Sequence, residues 1–335
     1  MKFCVIGAGR AGAIHARNLA ERIASAELVA LCDRDATGLH RLGEELGVPA
    51  RLADFREAVA RPDVDAVVIA TPTFLHCEIA VAAAKQGKHV FLEKPMASTV
   101  ADCRKIVRAA EQAAGSFMVG HICRFNPRYA AAKREIEAGK IGRIVSIYAR
   151  RNIPAAVGAT VLPKIGPIIG DGVHDTDLML WYTGAHVVSA YAQTVDVRGL
   201  KYPDIGWTMY RFDTGAVGVL EDAWFLPDKT PFQIDERMEI LGTEGSIHIH
   251  EVHPNLSICD KDGWHSPDTT YWPELHGIRA GALREELSYF AACVLEGKRP
   301  TVIRPEESLR AVEACLAAER SAATGRVVKL RPPRG

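Results

Sequence analysis

Lys2-Phe3-Cys4-Val5-Ile6-Gly7-Ala8-Gly9-Arg10-Ala11-Gly12 is a short apolar run that breaks into a G-x-G-x-x-G pattern. From Ala11 to Arg22 the pattern turns helical, with Ile14 and Leu19 set among alanines. A strand, a glycine turn and a helix form the context in which this motif binds a dinucleotide. Gly7 permits the tight turn, Gly9 lets a pyrophosphate approach the backbone, and Gly12 lets helix and strand pack closely. The amides from Ala8 through Arg10 and Ala11 then face phosphate at the start of the helix. A second strand, Leu28 to Cys32, ends at Asp33, 21 residues after Gly12. That is close to the ~20 expected for the acid that binds a ribose diol. A carboxylate there repels a 2′-phosphate and favours NAD, while the neighbouring Arg34 leaves NADP possible.

The alternation of helix and strand continues. Ala36 to Leu46 reads as helix, Arg51-Leu52 as a brief strand, and Asp54 as the cap of a short helix to Ala60. Val64 to Ala70 is nearly unbroken in its apolar character, as a parallel strand covered on both faces should be. A helix from Phe74 to Gln86 follows, with Gly87 where a C-terminal cap belongs. Val90-Phe91-Leu92 then ends in Glu93-Lys94-Pro95. Ser98 or Thr99 caps a helix to Ala114, and Phe117 to Gly120 is a further strand that ends at His121. Ligands bind beyond the carboxyl ends of such strands, so Thr71, Pro72, Glu93 and Lys94 are expected beside the cofactor. His76 joins them, against the plainer reading of a helix-start histidine bonded to backbone. For Lys94 the plainer reading is a surface lysine.

The chain has 335 residues, more than one core usually holds, so two domains are expected. Lysine plus arginine equal aspartate plus glutamate at 41 each, which gives no support for nucleic acid or an anionic membrane as partner. Hydrophobic residues at 48% and charged residues at 24% suit a soluble globular protein. Eight cysteines are scattered without a Cys-x-x-Cys pair, so neither a zinc ribbon nor a redox couple is suggested. With no signal sequence and no apolar run long enough to span a bilayer, a cytoplasmic location is expected.

In the second half, Ile144 to Ala149 opens a new sheet. Residues 150–169 lack periodicity and read as a long loop over the substrate, offering Arg150, Arg151, Asn152 or Lys164. Asp171 to Tyr182 reads as a helix on which Asp171, His174 and Asp177 share a face. An acid beside a histidine orients the ring and raises its basicity, as a general base requires. The competing reading is a solvated helix start capped by Asp171. Five strands follow: Val187 to Thr194, Trp207 to Phe212, Ala216 to Glu221, Met238 to Leu241 and Ser246 to His250. Strands without intervening helices argue an open antiparallel sheet with helices on one face and the other face free for a second subunit. His248, His250 and His253 have no third ligand at clear spacing, so no metal is expected. Trp264, Tyr271, Trp272 and His276 line a pocket or cover the core. Leu283 to Leu295 and Glu306 to Ala323 are closing helices, the latter (306-323) expected to pack back on the first domain.

Ala70-Thr71-Pro72-Thr73-Phe74-Leu75-His76, with Gly87-Lys88-His89-Val90-Phe91-Leu92-Glu93-Lys94-Pro95, resembles the glucose–fructose oxidoreductase / inositol dehydrogenase / MocA (Gfo/Idh/MocA) family. Val119-Gly120-His121-Ile122-Cys123-Arg124-Phe125-Asn126-Pro127 is similar to the family segment that leaves the cofactor domain. Gly170-Asp171-Gly172-Val173-His174-Asp175-Thr176-Asp177 is similar to its active-site helix. The resemblance implies an N-terminal Rossmann doubly wound parallel sheet (α/β, 1-122) and a C-terminal α+β domain (123-335) with an open antiparallel sheet and helices on one face. It implies an NAD(P)-dependent oxidoreductase of sugars, cyclitols and their derivatives, assembled as a dimer or tetramer through that sheet. By position, Lys94 and His174 carry the chemistry: His174 takes the hydroxyl proton and Lys94 stabilises the alkoxide, with Asp171 or Asp177 orienting the pair. His121, Arg124 and Asn152 are expected at the substrate with Lys94, Asp171 and His174. One departure stands out: many relatives have an aspartate four residues before the histidine, where this chain has Gly170. Two other readings stay open, a nucleotide-sensing regulator on the same fold and a reductase of an imine or other non-sugar carbonyl.

Overall fold

The computed structural model describes residues 1–161, 164–250, 256–261 and 263–331. The chain forms two compact units. The first comprises Met1–Phe125 together with Thr270–Leu309, and the second comprises Asn126–Thr269 together with the chain from Arg310 onward. The first unit thus recruits a late segment that sequence reading had given to the second, and its boundary falls after Phe125 rather than after Ile122.

The first unit is built on six strands: β1 (Lys2–Ile6), β2 (Glu27–Cys32), β3 (Ala50–Leu52), β4 (Ala66–Ile69), β5 (His89–Glu93) and β6 (Phe117–Gly120). Their order is β3-β2-β1-β4-β5-β6, and every neighbouring pair is parallel. All four residues of β4 and of β6 are buried, which explains their unbroken apolar character. The connecting helices are α1 (Arg10–Glu21), α2 (Ala36–Glu45), α3 (Phe55–Ala60), α4 (His76–Lys85) and α5 (Val100–Gln112). Asp35, Asp54 and Thr99 cap α2, α3 and α5 with their side chains. The exit from β4 is a 3-10 turn, Thr73–Leu75, before α4 begins. The strand order reverses between β1 and β4, so the glycine turn after β1 and the loops after β4 and β5 share one sheet edge.

In the second unit α6 (Pro127–Glu137) leads to β7 (Ile144–Asn152), α7 (Ala155–Val161), α8 (Pro167–Gly170) and α9 (Gly172–Thr183). Then come β8 (Val187–Val195), β9 (Ile205–Phe212), β10 (Val217–Ala223), β11 (Asp235–Gly242) and β12 (Ser246–His250). The short ladders β13 (Ile258–Asp260) with β14 (Gly263–His265), and β15 (Glu274–Leu275) with β16 (Ile278–Arg279), precede α10 (Ala282–Leu295) of the first unit. α11 (Pro305–Thr324) and β17 (Val328–Lys329) close the chain. The sheet order is β12-β11-β7-β10-β9-β8-β17. It is mixed rather than purely antiparallel, because β7 and β10 run parallel. No hairpin joins those two strands, so turn geometry does not set their relative direction. Residues 150–169 are also not one loop: β7 runs on to Asn152, and α7 and α8 follow, with Leu162 and Pro163 outside the described residues.

Register sets the two faces of this sheet. Ala192, Thr208, Leu220, Ala149, Met238 and Ile249 form one cross-strand row, all buried. Helices cover that face: the Thr176 hydroxyl of α9 lies 3.1 Å from the Tyr210 hydroxyl, and Ser321 of α11 accepts from the Ala192 amide at 3.0 Å. The main body of α11 therefore packs on its own unit, and only its first residues belong with the first. The opposite face presents Tyr191, Met209, Val219, Tyr148, Glu239 and His248 in one row. Tyr191, Trp207, Met209 and Leu241 are exposed there. Among the described residues no helix is long and apolar enough to cross a membrane.

Candidate active site

The glycine turn after β1 divides its three glycines between two jobs. Gly7 adopts φ +101°, and a β-carbon on it would lie 2.5 Å from the Ala70 carbonyl oxygen and 2.8 Å from the Thr71 amide. A β-carbon on Gly12 would overlap the Gly7 carbonyl. These two let the turn close against β4. A β-carbon on Gly9 would meet nothing within 4 Å. Open space over bare backbone, at a helix start with no capping side chain, suits the pyrophosphate of a dinucleotide. Arg10 stands at the first position of α1 with its guanidinium over the Trp272 ring, 5.6 Å from the centroid. Asp33 follows β2, with Oδ2 accepting from the Ala8 amide at 2.5 Å and Oδ1 from the Asp35 amide at 2.8 Å. The Ala8 amide is thereby given to Asp33 rather than to phosphate, a correction to its expected role. Arg34 beside it is exposed.

The end of β5 is more deeply built than its lysine suggested. Glu93 Oε1 lies 2.7 Å from Nε2 of the buried His15, and Oε2 accepts from the Lys94 amide at 3.1 Å. Burial pushes the Glu93 carboxyl up, but the His15 ring and the Lys94 ammonium outweigh burial and hold it below its usual range. His76 is also interior, with Nδ1 3.0 Å from the Pro95 carbonyl and Nε2 2.9 Å from the Thr71 carbonyl. Burial lowers its pKa, and a neutral ring has a single N–H, so it donates to one of the two carbonyls at a time. His76 therefore ties the exits of β4 and β5 together, the role of the plainer reading. Pro72 is exposed on the same edge.

Two contributors to this edge went unnoticed in the sequence. His15 sits on α1, and Glu286 comes from α10, which packs against α1, β5 and the 3-10 turn Ile122–Phe125. The signal for Glu286 was available: it occupies the apolar stripe of Leu283, Leu287 and Phe290, where a carboxylate is out of place.

In the second unit α9 buries nearly every residue it has, His174, Asp175, Thr176 and Asp177 included. Asp171 stands at its N-cap position without capping the helix by its side chain. Beneath the helix Arg151 binds Asp175 at 2.7 and 3.3 Å and Glu236 at 2.5 Å. Burial pushes the Asp175 carboxyl up to about 6 despite that guanidinium, which two carboxylates share. Asp222, from β10, is wholly buried, and burial together with the charges of Asp175 and Asp171 pushes its carboxyl well up. The departure at Gly170 has a packing cause: a β-carbon there would lie 2.6 Å from Cη2 of the buried Trp224. An aspartate cannot stand at that position in this packing, which leaves Asp171 as the acid at the helix start.

Several expected substrate contacts are otherwise engaged. Asn152 gives Nδ2 to Glu221 at 2.8 Å and takes the Ala223 amide on Oδ1 at 2.8 Å, so both ends of its amide serve the sheet. Arg150 binds Asp235 at 2.9 Å. Arg124 is buried, and its Nη1 donates to the Val302 carbonyl at 2.6 Å and to Glu307 at 3.1 Å, which fastens the turn after β6 to the returning segment. His121 is buried at the end of β6, and Lys164 is exposed. Trp264 is exposed and Tyr271 buried. His253 lies outside the described residues. His248 and His250 gain a neighbour that spacing could not reveal, the cross-strand Glu239, with one atom from each within 4.8 Å of the others. The histidines face water, and Glu239 is already paired with Arg237 at 3.7 Å.

Comparison with known proteins agrees with both units. Residues 1–121 match the oxidoreductase family with an NAD-binding Rossmann fold, and residues 129–248 match the Gfo/Idh/MocA C-terminal domain. The chain is 32% identical to scyllo-inositol 2-dehydrogenase (NAD(+)) of Bacillus subtilis, over 98% of this chain and 96% of that protein. It is 31% identical to Myo-inositol 2-dehydrogenase of Thermotoga maritima, over 98% of each. The structure of scyllo-inositol dehydrogenase from Lactobacillus casei with NAD(H) and scyllo-inositol superposes with a TM-score of 0.84, at 25% identity and 98% coverage of both chains. The glycine turn with its open Gly9 face, the lysine after β5, the mixed sheet and these full-length matches lead to one conclusion: the chain belongs to the Gfo/Idh/MocA family of NAD-binding oxidoreductases.

Proposed function

We propose that the chain is an NAD-dependent dehydrogenase of a cyclitol or closely related polyol, oxidising a secondary alcohol to a ketone. The observation that carries this reading is the end-to-end similarity to proteins named as inositol 2-dehydrogenases. Bound NAD supplies the hydride acceptor. The backbone of Gly9 and Arg10 receives its phosphates, and Asp33 takes its ribose diol and turns away a 2′-phosphate. Thr71 and Pro72 line the same sheet edge. His174 accepts the hydroxyl proton as general base, and Lys94 stabilises the negative charge that develops on that oxygen. Asp171 or Asp177 orients the His174 ring.

The open face of the second sheet, with Tyr191, Trp207, Met209 and Leu241 exposed, suits contact with a second copy of the chain. Light scattering of the purified protein should report a dimer or tetramer, and a monomer at micromolar concentration argues against it. All eight cysteines are free thiols, seven of them buried or half-buried, which fits a reducing cytoplasm. The activity is tested by following NAD reduction across a panel of cyclitols, aldoses, sugar acids and nucleotide sugars. Turnover of at least one cyclitol is expected. Tight NAD binding with silence across the panel would turn the assignment towards a nucleotide sensor.

A further inference from the structure

Glu286 has no part in that mechanism, yet it is 0% exposed and neither of its carboxyl oxygens has a hydrogen-bond partner among the described residues. An unpaired carboxylate in such a place is costly, because burial penalises the charged form. Its surroundings explain how it is tolerated. Glu286, Glu93 and His15 bring one polar atom each to within 4.8 Å of one another. Glu93 is already engaged, by His15 on one oxygen and by the Lys94 amide on the other. Two carboxylates this close in the interior each disfavour the ionised form of the other.

We infer that Glu286 is a positioning residue that keeps a proton in the working enzyme and offers it to Glu93, so that one negative charge rather than two lies beneath Lys94. Burial and the Glu93 charge both drive the Glu286 carboxyl well above its usual range, and the Lys94 ammonium offsets this only in part. The proton belongs on Glu286 because His15 and Lys94 favour the ionised form of Glu93. Arg124 on the packed turn is bound to Val302 and Glu307, His121 comes directly after β6, and Arg284 and Glu285 pair with each other at 2.6 Å on the outer side of the helix. The Glu93 carboxylate anchors the Lys94 backbone, and one carboxylate charge rather than two acts on the Lys94 ammonium. A second negative charge beside that ammonium would offset the field it offers a developing oxyanion. This consequence for catalysis rests on the dehydrogenase reading, whereas the proton on Glu286 does not.

The test compares the full-length protein with Glu286→Gln and Glu286→Leu. An infrared difference spectrum of wild type against Glu286→Gln at neutral pH, without substrate, should contain the carbonyl stretch of an un-ionised carboxyl group. A carboxylate band in its place overturns the inference. In turnover, Glu286→Leu, which has no donor for Glu93, should lower kcat on the order of ten-fold with little change in KM for NAD. Glu286→Gln should recover most of that loss. If instead Glu286→Gln moves the alkaline limb of the kcat–pH profile towards acid by about one unit, Glu286 was ionised and the inference fails. Silence on every polyol with the carboxyl band present sinks the dehydrogenase reading alone. Normal turnover with the band absent sinks this inference alone. Should Glu286→Leu fail to fold, the spectrum still decides.

Discussion

The carboxylate of Asp33 accepts a hydrogen bond from the Ala8 amide at 2.5 Å, which locks the end of β2 to the glycine turn. That bond shapes the glycine turn, and in the proposed function the same carboxylate takes the ribose diol. Asp33→Ala should weaken NAD binding about ten-fold by loosening that turn. NADP binding should strengthen, because the repulsion of the 2′-phosphate is gone. The Kd values of both nucleotides, measured by fluorescence titration, check this. A variant that loses both nucleotides equally would leave Asp33 a purely structural role.

Gly9 and Gly12 should respond to alanine in opposite ways. Gly12→Ala forces a methyl group onto the Gly7 carbonyl, so a loss of about 1–3 kcal/mol in stability is expected without any ligand. Gly9→Ala meets open space, so its melting temperature without NAD should match wild type. The methyl group occupies the phosphate approach instead, and NAD should bind at least about ten-fold more weakly. Calorimetry with and without NAD separates the two effects.

Lys94→Ala and His174→Ala should each lower kcat by about 10²–10⁴-fold while the protein still binds NAD. Near-normal turnover in either variant on the substrate found in the screen would remove that residue from the mechanism.

Arg151 is buried with two buried carboxylates, Asp175 and Glu236, which depend on it. Arg151→Met should cost about 3–5 kcal/mol, because it removes the guanidinium that both buried carboxylates bind. Chemical denaturation gives the value, and a loss under about 1 kcal/mol would show that the two acids find other partners.

The contributions of Asp175 and Glu319 to stability should fall as pH rises from acid towards neutrality. Burial raises the Asp175 carboxyl to about 6 and the Glu319 carboxyl to about 7. A carboxyl whose folded pKa lies above its unfolded value binds more protons when folded, so its contribution is complete below the unfolded pKa and is lost as pH climbs through the folded one. For Glu319 the window runs from the ordinary 4.5 up to about 7. Glu319→Gln should match wild type near the acid end of that window and become the more stable of the two, by roughly 1–3 kcal/mol, near pH 7. A difference independent of pH would contradict this.

Much of the first unit was legible because its signals are local. The apolar runs of β1, β4 and β5, the glycine turn and the capping residues Asp54 and Thr99 each act within a few positions along the chain. Roles that depend on partners were not legible. Asn152 and Arg124 looked like polar residues in search of a substrate, but Glu221 and Val302, 69 and 178 positions away, claim them. His76 showed both of its readings in the sequence, and only the two carbonyls around its ring choose between them. The parallel pairing of β7 with β10 was equally hidden, since no turn connects the strands.

The sequence by itself determined the dinucleotide turn and the placement of Lys94 after a buried strand, because period and spacing fix those relations along one element. Only the tertiary structure decided that α10 returns to the first unit and sets Glu286 within reach of Glu93 and His15. Only it decided that the Trp224 ring excludes a side chain at Gly170. Contacts between residues distant in the chain are made by packing, and packing has no signature in local order.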